Sequence, residues 1–137
     1  LELIKQHFVT PKVALRAYVP PEELLTITPT AYIGLTLFES KGMNQYFSLA
    51  NRFFDYTMAG IPQVCVNYPE YAAINQSFNI AYLITDTSPK TISDALNNLL
   101  SDDVLYEELR KNCLFTRNKL NWGNEEQVLI GFYKEIT

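Results

Sequence analysis

Short apolar runs, separated by stretches with helical periodicity, constrain the fold of this 137-residue chain more than any other feature. The clearest runs span residues 31–38, 63–66 and 80–84. Runs without polar alternation are typical of strands buried on both faces, as in a parallel sheet covered by helices. A further run, 13–19, stops at two prolines and is predicted as another strand. We therefore predict a single α/β domain over 1–137, a Rossmann-like parallel sheet flanked by helices.

Helix start and stop signals lie between these runs. Ser48 is predicted to cap a helix that ends at about Ala59, because Gly60 suits the position just past a helix end and Pro62 blocks continuation. The other predicted helical segments are the end of a helix at 1–8, a short helix from Pro21 through 25, and helices at 69–76, 88–100, 102–119 and 124–135.

Composition excludes several classes of function. The formal net charge is -4 and no Lys- or Arg-rich run occurs, which argues against a nucleic-acid-binding surface. No stretch of about 18 apolar residues is present, so no membrane-spanning helix is predicted. Cys65 and Cys113 lack a Cys-x-x-Cys partner and His7 lacks clustered partners, so we expect buried reduced thiols and no metal site. The N-terminal residues do not read as a secretory signal, and a cytoplasmic protein is expected.

One predicted helix carries residue types suited to a nucleotide. Free N–H groups at its N-terminus, near Ser48, favour an anion such as a diphosphate. Asp55 lies two turns further along the helix, where a carboxylate accepts two hydrogen bonds from a vicinal diol such as that of ribose. The alternative on this spacing alone is that the helix end binds nothing and that Asp55 is a solvated surface residue.

The segment 46–62 reads Tyr-Phe-Ser-Leu-Ala-Asn-Arg-Phe-Phe-Asp-Tyr-Thr-Met-Ala-Gly-Ile-Pro. It resembles the signature Tyr-Ser-Leu-Pro-Asn-Lys-Phe/Leu-Phe-Glu-Tyr-Met-Ala-Ala-Gly-Ile/Leu-Pro-Val of glycosyltransferase family 4, whose members have two Rossmann-like domains (the GT-B architecture). Further similar segments follow the family's order over nearly the whole chain, at 18–24, 32–35, 68–70, 79–84 and 121–122. The resemblance is to the C-terminal, donor-binding half. That half is expected to be incomplete here, because its first two strands, which carry an Arg and a Lys, and the N-terminal acceptor domain are not found.

The resemblance implies part of a retaining, hexosyltransferase-type enzyme of polysaccharide or glycoconjugate synthesis, often bacterial. The donor would be a nucleotide sugar such as a UDP- or GDP-sugar, with no metal or other cofactor. Asp55 would hold the ribose, the backbone around Ser48 and Leu49 the diphosphate, and Tyr18 and Val19 would lie beside the nucleobase. The full set of donor-binding residues implied in this way is Tyr18, Val19, Phe47, Ser48, Leu49, Asn51 and Asp55.

The resemblance has departures, and no catalytic residue is assigned. Phe47 stands where the broader family has the first of two glutamates. The chain alone is expected to be inactive, since its partner would be the missing acceptor half, and the parent enzyme could be peripheral at a membrane. Because the sheet would have exposed edges, we expect either pairing of 13–19 with 31–38 or homo-oligomerisation.

Two other interpretations remain open. One is a non-catalytic, degenerate Rossmann-like module for binding or assembly. The other is an unrelated doubly wound domain of flavodoxin or receiver type, although a receiver's acidic cluster is not visible. Trp122 is expected to anchor the last helix and not to contact a sugar.

Overall fold

Three short strands form one parallel sheet in the computed structural model of the chain, which describes residues 12–136. The strands are β1 (Gly34–Thr36), β2 (Gln63–Val66) and β3 (Ala81–Ile84), in the spatial order β1-β2-β3. Leu35 lies opposite Val64, and Cys65 lies opposite Leu83. The predicted 63–66 strand is confirmed, whereas the 31–38 run contributes only its central three residues to the sheet.

Helices connect and flank the strands. Their bounds are α1 (Pro21–Ile27), α2 (Met43–Tyr46), α3 (Asn51–Ala59), α4 (Pro69–Phe78), α5 (Pro89–Ser101), α6 (Asp103–Thr116) and α7 (Trp122–Ile136), with a 3-10 turn at Thr28–Thr30. The predicted parallel α/β sheet flanked by helices is thereby confirmed, and the arrangement is consistent with a Rossmann-like fold. The helix end expected at 1–8 lies outside the described residues.

The predicted strand at 13–19 is wrong. Those residues belong to no strand, and all except Val19 are exposed, with Tyr18 at 85%. Apolar character alone does not make a strand, because the backbone N–H and C=O groups also need a neighbouring strand. The expected pairing of 13–19 with 31–38 is therefore also wrong, since β1 pairs with β2 alone among the described strands.

The two faces of the sheet bury separate clusters. Cys65, with Phe53 of α3 and Tyr71 of α4, belongs to one cluster. Val64, with Leu99 of α5, belongs to the other. Because successive residues of a strand point to opposite faces, β2 supplies both clusters and is buried throughout. The apolar run predicted this burial on both faces.

Local signals fix several helix ends. Gly60 follows α3 with φ of 73°, and a Cβ there would lie 2.6 Å from a methyl carbon of Leu114. A side chain at this position would therefore be strained and crowded. The Ser88 hydroxyl caps α5 by accepting from the Thr91 N–H at 3.2 Å. These two boundaries agree with the sequence prediction.

Candidate functional site

Helix α3 approaches β1 through a contact that requires glycine. A Cβ on Gly34 would lie 2.5 Å from ring carbons of Tyr56, closer than real Cβ contacts allow. The absence of a side chain at Gly34 therefore lets α3 lie close against the sheet. Asp55 precedes Tyr56, so this contact also fixes where the Asp55 backbone stands relative to β1.

The N-cap of α3 lies two residues later than predicted. Ala50 occupies the N-cap and no side chain of the described residues caps the helix. Ser48 as the cap is wrong: its hydroxyl instead donates to the Gln45 carbonyl at 2.9 Å, because that carbonyl lies just before it at the end of the short helix α2. The Ala50 N–H donates to the Tyr71 hydroxyl at 2.9 Å. The first-turn N–H groups of Asn51 and Arg52 are left for solvent or an anion.

Asp55 lines a groove of about 460 Å³ between α3 and the α1 region. The groove residues are Pro21, Glu22, Leu24, Leu25, Thr28, Pro29, Asp55, Met58 and Ala59. Apolar side chains dominate these walls, and Asp55 and Glu22 bring carboxylates to them. Partial burial raises the pKa of the Asp55 carboxyl above its ordinary value. This combination of apolar walls with a few polar groups is typical of small-molecule sites.

The seven residues assigned to donor binding do not meet in one groove. Only Asp55 lines the groove against α1; Tyr18 and Val19 come just before Pro20, the N-cap of α1, and are not among its lining residues. Phe47 lines a separate depression after β1, of about 470 Å³. Asn51 lines a third groove, beside α4 and α7.

Ser48 and Leu49 occupy the link between α2 and α3. Both are half-buried, and Leu49 packs against the cluster that contains Phe53. Neither lines any of the three concave surfaces described above. Both side chains therefore have structural contacts. An anion at this link would be bound by the neighbouring backbone N–H groups instead.

Sequence reasoning missed the α1 wall of the Asp55 groove. Leu24, Leu25, Pro29 and Met58 contribute much of its apolar lining. The Pro-Pro-Glu-Glu-Leu segment at 20–24 was a visible signal. What the sequence did not disclose is that this short helix lies beside α3, which is a matter of packing between segments distant in the chain.

The basic side chains of Arg52, in the first turn of α3, and of Lys41, in the loop after β1, have different partners. The Arg52 guanidinium lies 5.1 Å from the centroid of the Phe38 ring, a cation–π distance. Lys41 pairs with Glu39, and this hydrogen bond raises the pKa of the Lys41 ammonium. Arg52 therefore stands at the helix end as a positive charge without a carboxylate partner among the described residues.

The order of the strands limits where a ligand crevice forms. In open α/β sheets, ligands occupy the crevice made where the strand order reverses. The order β1-β2-β3 contains no reversal within residues 12–136. The concave surfaces at α3 are therefore built by helices and loops beside the sheet, and the Asp55 groove is one of them.

Other chemistry-bearing groups are few in the part of the chain described. Cys65 and Cys113 are free and buried, as predicted, and burial raises the pKa of each thiol to about 12. Over residues 12–136 no three His, Cys, Asp or Glu side chains cluster in a way that would hold a metal ion. Within the same residues, none of the helices has the length and apolar character needed to cross a membrane.

Comparisons of the chain with models of protein families, with curated proteins and with solved structures found no match. The geometry therefore supplies the functional argument, beginning with an α/β fold that carries Asp55 in a groove between α1 and α3.

Proposed function

We propose that this chain is the nucleotide-binding part of a retaining, metal-independent glycosyltransferase that uses a UDP- or GDP-sugar. The observation that carries the proposal is the position of Asp55 in an apolar groove, one helical turn after the uncapped start of α3. The similarity of 46–62 to the signature of glycosyltransferase family 4 supports the same assignment.

The groove suits the nucleoside part of such a donor. An ionised Asp55 carboxylate accepts hydrogen bonds from both hydroxyls of a ribose diol. The apolar side chains of Leu24, Leu25 and Pro29 offer a surface to the base. A ribose hydroxyl that leaves water for an apolar groove needs a hydrogen-bond partner there, because an unpaired buried hydroxyl is costly. The Asp55 carboxylate would be that partner and would therefore select for ribose.

The start of α3 suits the phosphates. Asn51 and Asp55 are four residues apart, which is about 6 Å along a helix axis. That spacing is comparable with the separation of the ribose hydroxyls from the 5′ phosphate of a nucleotide. Free N–H groups, the helix dipole and the Arg52 guanidinium all favour negative charge at this end.

The test uses the diol itself. We expect uridine to bind the chain in calorimetry, and 2′-deoxyuridine to bind about tenfold more weakly, since one charge-assisted hydrogen bond is lost. Asp55→Asn should remove this preference for the ribose. Asp94→Asn is the matched control, because Asp94 lies on α5, pairs with Lys90 and does not line the groove. Equal binding of the two nucleosides would contradict the proposal.

UDP and GDP extend the test to the phosphates. Each should bind more tightly than its nucleoside, and Arg52→Gln should reduce that gain while leaving uridine binding unchanged. Sugar transfer is not expected from this chain alone, because a GT-B enzyme reacts in a cleft closed between two domains. An assay of donor consumption with the purified chain checks this: turnover of a UDP-sugar would require a different assignment.

A second candidate is a non-catalytic module for assembly, which the surface of α7 favours. No residue of α7 is buried, and Val128, Phe132 and Ile136 are among its exposed apolar residues. Contiguous exposed apolar surface is typical of protein contact sites. Sedimentation velocity over a range of chain concentrations tests this candidate: self-association abolished by Phe132→Glu, together with no nucleoside binding, would favour it over the first.

A further inference from the structure

A second groove, which shares only Met58 with the Asp55 groove, lies between α3, α4 and the start of α7. Its volume is about 460 Å³. Phe54, Ile74 and Trp122 supply apolar walls, while Asn51, Asn121 and Glu125 supply polar groups. A volume of this size lies within the range typical of small-molecule sites.

Trp122 is an exposed member of this groove. Its side chain is 67% exposed, and α7, which it begins, has no buried residue. The exposure argues against the expected role of Trp122 in anchoring the last helix. A large aromatic ring left open at a groove offers an apolar face with a negative π-surface.

The turn that carries Trp122 is nevertheless tied down. The side-chain amide of Asn124 donates to the carbonyls of Asn118 and Lys119, both at 2.9 Å. The Asn121 side chain donates to the Arg117 carbonyl at 3.1 Å and accepts from the Asn124 N–H at 3.1 Å. These bonds hold the first turn of α7 against the end of α6, so the Trp122 backbone has a defined place beside the groove.

Two polar side chains of the groove remain available to a ligand. Neither the Asn51 amide nor the Glu125 carboxylate has a hydrogen-bond or ion-pair partner among residues 12–136, whereas the Asn121 amide is engaged in the turn. The Asn51 side chain offers both a donor and an acceptor, and the Glu125 side chain offers only acceptors.

We propose that this groove binds a pyranose ring of an oligosaccharide, with Trp122 stacking on the ring and with Asn51 and Glu125 bonding to its hydroxyls. A pyranose has an apolar face of C–H groups and an edge of hydroxyls, which matches an aromatic wall beside an amide and a carboxylate. A purely apolar ligand would desolvate Asn51 and Glu125 without replacing their bonds to water. The inference depends on Trp122 and Glu125, not on the nucleotide groove. It assigns the Asn51 side chain to this groove, while the Asn51 backbone N–H stays at the start of α3.

The chain contains a single tryptophan, so its fluorescence reports directly on this groove. We expect cellobiose, whose equatorial hydroxyls leave flat C–H faces, to shift the Trp122 emission to shorter wavelength with saturation in the millimolar range. Sorbitol has similar hydroxyls but no ring face, and it should produce no saturable shift. No saturable response to cellobiose up to its solubility limit, or an equal response to sorbitol, would overturn the proposal.

Matched variants locate the response. Glu125→Ala should weaken cellobiose binding about tenfold, and Asn51→Ala severalfold, from the loss of hydrogen bonds to the ligand. Glu126→Ala makes the same change of charge at the next residue, which does not line the groove, and should bind like the unchanged chain. Equal affinities for the Glu125→Ala and Glu126→Ala variants, each shown to be folded by circular dichroism, would also overturn it.

Uridine separates this proposal from the nucleotide assignment. Uridine should leave the Trp122 emission unchanged, and cellobiose should bind the Asp55→Asn variant normally. A uridine-dependent shift of Trp122 that cellobiose suppresses would place a nucleoside in this groove and overturn the carbohydrate proposal. A saturable shift with hexanol and none with cellobiose would identify an apolar site instead.

Discussion

The Thr36 hydroxyl donates a 2.8 Å hydrogen bond to the side-chain carbonyl of Gln63 in the interior of the sheet. The Gln63 amide in turn donates to the Phe53 carbonyl at 3.0 Å. Both Thr36 and Gln63 have no exposed surface. One buried side chain therefore links β1, β2 and α3, the elements that position Asp55.

We expect Gln63→Leu to lower the free energy of unfolding by about 1 to 3 kcal/mol, because it leaves the buried Thr36 hydroxyl without its acceptor. Thr36→Val in the same chain should restore part of the loss, since it removes the orphaned group. Urea denaturation of the single and double variants measures both effects. Gln76→Leu, at an exposed position of α4, serves as the control. Additive losses in the double variant would show that the two side chains act independently.

Gly34→Ala should weaken uridine binding even though residue 34 does not line the Asp55 groove. The new methyl group meets the Tyr56 ring, so either α3 or the ring must move. A shift of the helix moves Asp55 relative to α1. Calorimetry with uridine measures the loss, and Gly131→Ala is the control because a Cβ there meets nothing within 4 Å. Unchanged uridine affinity in the Gly34→Ala variant would mean that ring motion alone relieves the contact.

Uridine binding should depend on pH through Asp55. The ionised carboxylate accepts from both ribose hydroxyls in charge-assisted hydrogen bonds that the protonated form does not make, so affinity should fall as the pH drops through the Asp55 pKa. Burial raises this pKa above its ordinary value, and the fall should therefore begin at a higher pH than for a solvated aspartate. Calorimetric titrations over an acidic pH series measure it. The Asp55→Asn variant should show a flat profile, and a parallel decline in that variant would assign the effect to another group.

The two cysteines should resist alkylation in the folded chain. Burial raises the pKa of Cys65 and of Cys113 to about 12, and only the thiolate is nucleophilic. At pH 8, iodoacetamide should modify both only as fast as the chain unfolds, which mass spectrometry with and without urea measures. The unfolded thiols ionise from about pH 9, so stability should fall as the pH rises from there towards 12. Rapid labelling of the native chain would contradict the burial of both thiols.

Sequence patterns predicted the elements that depend on local signals. The 63–66 strand follows Pro62 and is buried on both faces, so its continuous apolar run correctly predicted a buried strand. Ser88 and Gly60 act within one turn of the helices that they bound, which made both ends readable from neighbouring residues. The α/β class followed from the same runs and intervening helices.

Predictions failed where a distant or competing partner decides the outcome. The 13–19 run has the residues of a strand but pairs with no strand within residues 12–136. Ser48 lies next to a helix start, yet the Gln45 carbonyl is the partner of its hydroxyl. The Asp55 groove depends on how α1 meets α3, a relationship between segments about thirty residues apart that periodicity does not encode.

The exposure of every residue of α7 has a consequence for how the chain unfolds. An isolated helix of this length is only marginally stable in water, and α7 adds no buried side chain to either core cluster. We therefore expect its last turns, beyond the bonds at Asn121 and Asn124, to open more readily than the sheet. Their amide hydrogens should exchange with solvent while those of β2 remain protected, and the helical signal should begin to fall before the core unfolds.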